Sequence, residues 1–274
     1  MSTTRRTSPA SRCDDQQFDP LQPLPASDNT LYIDWQHELM PYDDVKLRLV
    51  NAVARSGGAP VARLLTGHRG TGKTTELYRV QQMLMEGKKS HKVFVSFLEC
   101  EEWLDLNDVS PQDLVLQMVR QLVNDLKKAG YGFGYEQFTD FLNQATGGRQ
   151  VDKHGLSGSP SHAPLYASFS IAIGRLSTIW STTKSLSRRA STSTTTPATT
   201  TSLIIVDQLD RIPQKHLGQA TNHEDLFLKS ARVLRALGCN VLYTIPIELS
   251  YTDRHAQLSD AVHGAKTTAL SLCP

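Results

Sequence analysis

The chain has 274 residues, 39% of them hydrophobic, enough apolar surface for one large α/β domain or two small ones. A formal net charge of +2 supplies no electrostatic reason to expect nucleic acid or an anionic membrane as the partner, and it leaves nucleic acid open without pointing to it. Cys13, Cys100, Cys239 and Cys273 make no metal-ligand spacing, no apolar run approaches the roughly 20 residues of a membrane span, and the first residues lack a secretion signal, so a cytoplasmic protein with free thiols and no membrane partner is expected.

Residues 1–29 are rich in Ser, Pro and Gln without a sustained period, which reads as a disordered leader. A single folded domain is expected over residues 30–254. Val45, Leu47, Val50 and Val53 recur at near-helical spacing within residues 42–56, and Gly57-Gly58 then stops the helix. The apolar run VARLLT at residues 61–66 predicts a strand, followed by a Gly-rich turn and a helix with Leu77, Val80 and Leu84 on one face and Gly87 at its end. A second strand is expected at residues 92–98. A polar, acidic loop then leads to a helix from Pro111 to about Lys128, where proline suits the first turn and Leu114, Met118, Leu122 and Leu126 make an apolar stripe.

Residues 145–201 are first Gly/Ser/His-rich and finally dominated by Ser and Thr, a composition that buries too little apolar surface to offset its ordering entropy. A disordered insertion is expected there, with Lys184, Arg188 and Arg189 as part of a solvated linker. Next comes SLIIVD at residues 202–207, a continuous apolar run closed by an acid, as in a central parallel strand. A helix near residues 226–237, a strand NVLYTI and an irregular tail over residues 255–274 complete the pass. Alternating strands and helices predict an α/β fold, a three-layer αβα sandwich on a mainly parallel sheet.

The stretch GHRGTGKTT at residues 67–75 satisfies GxxxxGK[ST] between a strand and a helix. Gly67, Gly70 and Gly72 allow turns of either hand, so successive N–H groups can face a phosphate. Lys73 would reach the β- and γ-phosphates, and the Thr74 hydroxyl would sit on Mg²⁺. Helix N-terminal N–H groups, together with His68, Arg69, Thr71 and Thr75, complete the expected nucleotide-binding set. Mg²⁺ prefers oxygen ligands, and Asp207, at the end of an apolar strand, supplies a second one. Asp210 stands just beyond, where a carboxylate could activate the water that attacks the γ-phosphate; Lys73 and Thr244 are the other expected catalytic groups. Arg211 could pair with Asp210 or act as an arginine finger.

Taken in order, GHRGTGKTTEL, IIVDQLDRIP and NVLYTIPIELSYT resemble bacterial P-loop ATPases of the AAA-like and STAND type, within the ASCE division. The resemblance implies ATP and Mg²⁺ as ligands, Asp207 and Asp210 as the metal and catalytic acids, and Thr244 as the polar end of a sensor-1 strand. It also implies a P-loop NTPase sheet of order 5-1-4-3-2 and self-association through the domain. Against that pattern the lid domain is missing and the chain reads as truncated, or partly frame-shifted, after the sensor-1 strand. The function implied is Mg-dependent ATP hydrolysis driving a conformational switch in signalling or defence. The alternatives are a nucleic-acid-remodelling ATPase and a nucleotide-binding remnant without turnover. No NKxD segment supports guanine recognition, and Asp210 favours water over another phosphoryl acceptor.

Overall fold

The computed structural model describes residues 22–34, 44–56, 60–86, 93–129, 201–217, 220–231, 234, 239–251, 257–258 and 267–269. Most of the leader and nearly all of the expected insertion over residues 145–201 lie outside the described residues; Thr201, which closes that range, already begins a strand.

The sheet is built from runs that bury side chains on both faces. Strand β1 (Ala62–Thr66) carries Leu64 and Leu65, and β3 (Thr201–Asp207) carries four successive apolar residues, Leu203 to Val206; all are essentially inaccessible. Because side chains alternate across a strand, Leu65, Leu203 and Ile205 join one core, and Leu64, Ile204 and Val206 join the other. Helices α1 (Val45–Ala54) and α2 (Lys73–Glu86) cover the first face through Leu49, Val53, Leu77, Val80 and Leu84. The second face is covered by α4 (Pro111–Lys128), whose Leu114, Met118, Leu122 and Leu126 stripe is buried as expected. A short helix, α3 (Cys100–Trp103), stands where an acidic loop was expected.

Local chemistry sets the helix ends. The Asp44 carboxylate accepts from the N–H groups of Lys46 and Leu47 and caps α1. Ser110 caps α4 by accepting from Asp113 N at 3.1 Å; Pro111 occupies the first turn, and Lys127 and Lys128 complement the dipole in the last.

With β2 (Val93–Glu99), β4 (His216–Leu217), β5 (Ala220–Thr221), β6 (Asn240–Ile245) and β7 (Thr267–Ala269), the main sheet has the order β2-β3-β6-β1-β7, all pairs parallel. Numbering its five strands alone gives 5-1-4-3-2, so the chain has the α/β fold and the P-loop NTPase strand order expected from the resemblance. The acidic strand β3 is separated from β1 by β6. Parallel strands place their C-terminal ends along one edge, where open α/β sheets bind ligands.

Three expectations need correcting. The fifth strand, β7, falls inside the stretch read as an irregular tail, because three residues carry too little pattern to register. The helix expected near residues 226–237 begins earlier, as α5 (Asn222–Glu224), and runs into a π turn at Asp225–Lys229; residues 232–233 and 235–238 lie outside the described residues. Its start is set by a capping box in which Thr221 and Glu224 serve each other's backbone N–H, a Thr-x-x-Glu signal present in the sequence. Residues 22–29 fall within the expected disordered leader, yet they lie along α2 as a strap: Leu24 N donates to Thr75 Oγ1 at 3.1 Å and Arg79 donates to Asp28 O and Asn29 Oδ1. The β4/β5 hairpin is a separate two-stranded sheet. Among the described residues no helix is long and apolar enough to cross a membrane.

Candidate functional site

Strand β1 delivers the chain into the glycine-rich turn at its C-terminal end, and α2 leaves from the same place. Gly70 and Gly72 adopt φ of 79° and 80°, where an L side chain is strained, so glycine is required there by backbone conformation. A Cβ at either would meet no atom within 4 Å, so crowding is not the reason. Gly67, expected to share this role, is not in the left-handed region. The backbone bond entering the helix runs from Glu76 N to Gly72 O at 3.0 Å. Lys73, Thr74 and Thr75 precede it, in the first turn, where N–H groups have no carbonyl of their own helix.

Lys73 is 6% exposed and turns back over its own loop. Its Nζ donates to Gly67 O at 2.8 Å and His68 O at 2.7 Å, and lies 3.0 Å from Asp210 Oδ2. A buried ammonium with three oxygen partners is well compensated. One residue on, Thr74 Oγ1 donates to Asp207 Oδ2 at 2.6 Å, joining α2 to the end of β3 across 133 residues of sequence. Thr71 Oγ1 donates to His68 O, and both His68 and Arg69 are exposed. The Thr75 hydroxyl accepts the Leu24 N–H of the strap and so faces the leader side.

Asp207 is 1% exposed. Burial pushes its carboxyl above the ordinary value; hydrogen bonds from Thr74 and Gln208 N–H pull it down, the Asp210 charge pushes it up, and the Thr244 hydroxyl pulls it down. Thr244, fully buried in β6, also accepts Leu209 N at 3.2 Å, so it holds the turn after β3 as well as Asp207. Lys73, Thr74, Asp207, Asp210 and Thr244 therefore come together at one edge of the sheet. Arg211 does not pair with Asp210; its guanidinium meets Glu101.

A cavity of about 620 Å³ opens over the loop, bounded by Gly70, Gly72, Lys73 and Thr74 on one side, by Asp210 and Arg211 on another, and by Gln22 to Leu24 of the strap. That is within the usual size of small-molecule sites. Sequence reading missed Gln22, Glu101 and Gln208 as lining residues. Gln208 is the one non-glycine residue with positive φ, 69°, among the described residues, and its Oε1 accepts Glu101 N at 3.0 Å. Nothing in a lone glutamine announces that conformation.

The residues fit a magnesium nucleotide. A threonine hydroxyl touching a buried carboxylate is a hard-oxygen pair of the kind Mg²⁺ accepts, and a helix N-terminus beside a buried lysine suits phosphate. Among the described residues no cluster of three or more His, Cys, Asp or Glu side chains suggests a different metal site.

No protein-family model matches the chain, and no curated protein matches it. Among solved structures it is similar to the Aeropyrum pernix ORC1 protein in complex with DNA (16% identity, TM-score 0.41, 86% of this chain and 47% of that one). It is also similar to Drosophila ORC bound to DNA (12%, 0.38, 98% and 52%) and to a Walker-type ATPase of Pyrococcus abyssi (11%, 0.37, 92% and 57%). The chain spans about half the length of each.

Proposed function

We propose that the chain is an ATP-binding P-loop module that hydrolyses ATP with Mg²⁺ and switches conformation with its nucleotide, as AAA-like and STAND-type ATPases in signalling do. The observation that carries this reading is the meeting of Lys73, Thr74, Asp207 and Asp210 at the C-terminal edge of a parallel sheet of order 5-1-4-3-2. Phosphate oxygens would replace the loop carbonyls and Asp210 as partners of Lys73. Thr74 and Asp207 would hold the metal, which would supply positive charge against the phosphates. The strap residues Gln22 to Leu24 would wall the bound nucleotide on one side. Asp210, released by Lys73, would orient the attacking water, and Thr244 would keep the turn after β3 in place.

The test is equilibrium binding of ATP, ADP and GTP with and without Mg²⁺, followed by hydrolysis with and without DNA. Mg-dependent ATP binding that Lys73→Ala abolishes is the expected result; binding indifferent to Lys73 refutes the site. Turnover raised by DNA would favour a nucleic-acid-remodelling ATPase, and binding without turnover a nucleotide-holding module.

A further inference from the structure

Besides Lys73 and Arg69, Arg211 lines the cavity over the loop, and its guanidinium partner is an acidic side chain. Arg211 follows Asp210 on the turn after β3, and its guanidinium pairs with the Glu101 carboxylate at the start of α3, 110 residues away in sequence. The same two segments are joined again where Glu101 N donates to Gln208 Oε1 at 3.0 Å. Arg69 of the loop donates to Arg211 O at 3.1 Å. Arg69, Glu101, Gln208 and Arg211 all line the cavity with Lys73, Thr74 and Asp210.

The pair is loosely held. Arg211 is 39% exposed and Glu101 55% exposed, and exposed ion pairs contribute little because water and salt screen them. A guanidinium fork makes two charge-assisted bonds to phosphate as readily as to a carboxylate, and a triphosphate carries more negative charge than one exposed carboxylate. Position supplies the direction. Loop N–H groups cradle the inner phosphates and the lysine reaches the outer ones. Asp210, 3.0 Å from Lys73 Nζ, stands at the outer end, and Arg211 is its neighbour.

We propose that Arg211 senses the terminal phosphoryl group: it exchanges Glu101 for the γ-phosphate, so the site separates triphosphate from diphosphate and reports the difference to α3 through Glu101. This rests on the nucleotide reading of the same cavity. Glu101 is then a competitor for Arg211, and Gln208, held in a left-handed conformation that costs an L residue energy, fixes the turn against which the exchange occurs.

The experiment compares Mg-dependent binding of ADP and of a non-hydrolysable β,γ-imido ATP analogue to the full chain and to Glu101→Gln, Arg211→Gln, the double variant and Glu102→Gln. Glu102 is a neighbouring exposed acid that controls for loss of one negative charge. Arg211→Gln should weaken the triphosphate analogue about tenfold, one charge-assisted hydrogen bond, and leave ADP unchanged. Glu101→Gln should tighten the analogue alone, and the gain should vanish in the double variant. The proposal is overturned by equal effects on ADP and the analogue, by a gain that survives without Arg211, or by an equal gain in Glu102→Gln. If the unaltered chain binds neither ligand, the nucleotide reading falls and the sensor with it; if it binds both and the variants do not discriminate, only the sensor falls.

Discussion

Asp207→Asn should make the ligand-free fold more stable and the nucleotide site worse. Asp207 is 1% exposed, and desolvation is the largest influence on it, raising its carboxyl above the ordinary value of 3.8. A group with a raised folded value binds its proton more tightly in the folded state. Below the unfolded value both states are protonated and the charge costs nothing; the penalty grows as pH rises through the folded value and is constant above it. Asparagine keeps an oxygen to accept from Thr74 and Gln208 N–H while removing the buried charge. The expected gain at pH 7 is about 0.5–2 kcal/mol, the usual yield of a single stabilising substitution, or a rise of roughly 2–6 °C in the unfolding midpoint. Thermal unfolding of both proteins without ligand, at pH 7 and again near pH 4, measures it. The gain should shrink towards zero at the lower pH, while Mg-dependent ATP binding is lost at pH 7. A loss of stability at pH 7, or a gain independent of pH, would refute the reasoning.

Three further outcomes are expected. Asp210→Asn should keep ATP binding and lose turnover, measured as phosphate release; unchanged hydrolysis removes Asp210 from the mechanism. Lys46, 4% exposed, reaches Asp34 Oδ1 at 2.7 Å and the Tyr32 hydroxyl at 2.8 Å, and lies 3.3 Å from Glu76 and 3.8 Å from Asp44. Lys46→Met leaves those acids without their central cation and should cost about 2–4 kcal/mol in urea unfolding, below the cost for a fully buried pair because Asp34 is partly in water. Thr75→Val removes the acceptor of Leu24 N, a bond worth about 1 kcal/mol. Amide exchange should then quicken in residues 22–34 and stay unchanged in α2.

Four of the five strands of the main sheet were legible because they are largely apolar runs, and the loop because Gly70, Gly72 and Lys73 are residue types that a phosphate turn requires. The strand order came from the family resemblance: periodicity alone cannot say which strands are neighbours. What escaped notice has a physical cause in each case. The strap is polar and aperiodic, and its place depends on side-chain bonds from Thr75, Glu76 and Arg79 that no local pattern encodes. Strand β7 is three residues long, ordered by pairing with β1 and not by its own propensity. The Glu101–Arg211 contact joins segments that only the β2–β3 pairing brings side by side, with Glu99 opposite Asp207 in register.

In the proposed reaction the partner of Lys73 would link binding to chemistry. While Lys73 Nζ lies 3.0 Å from Asp210 Oδ2, with both side chains largely buried, that carboxylate oxygen is occupied by the lysine and is not open to a water molecule. Drawing Lys73 onto phosphate oxygens would remove that cation and leave Asp210 facing the cavity. The proposed base is thus set free by the same movement that seats the substrate. The Glu101–Arg211 pair repeats this logic at the surface: there too an acid holds a cation that phosphate would claim. The two pairs differ in strength, because the inner one is shielded from water and the outer one is not. Salt should therefore loosen the outer exchange first, and the distinction between triphosphate and diphosphate should depend on ionic strength more steeply than the Lys73 step does.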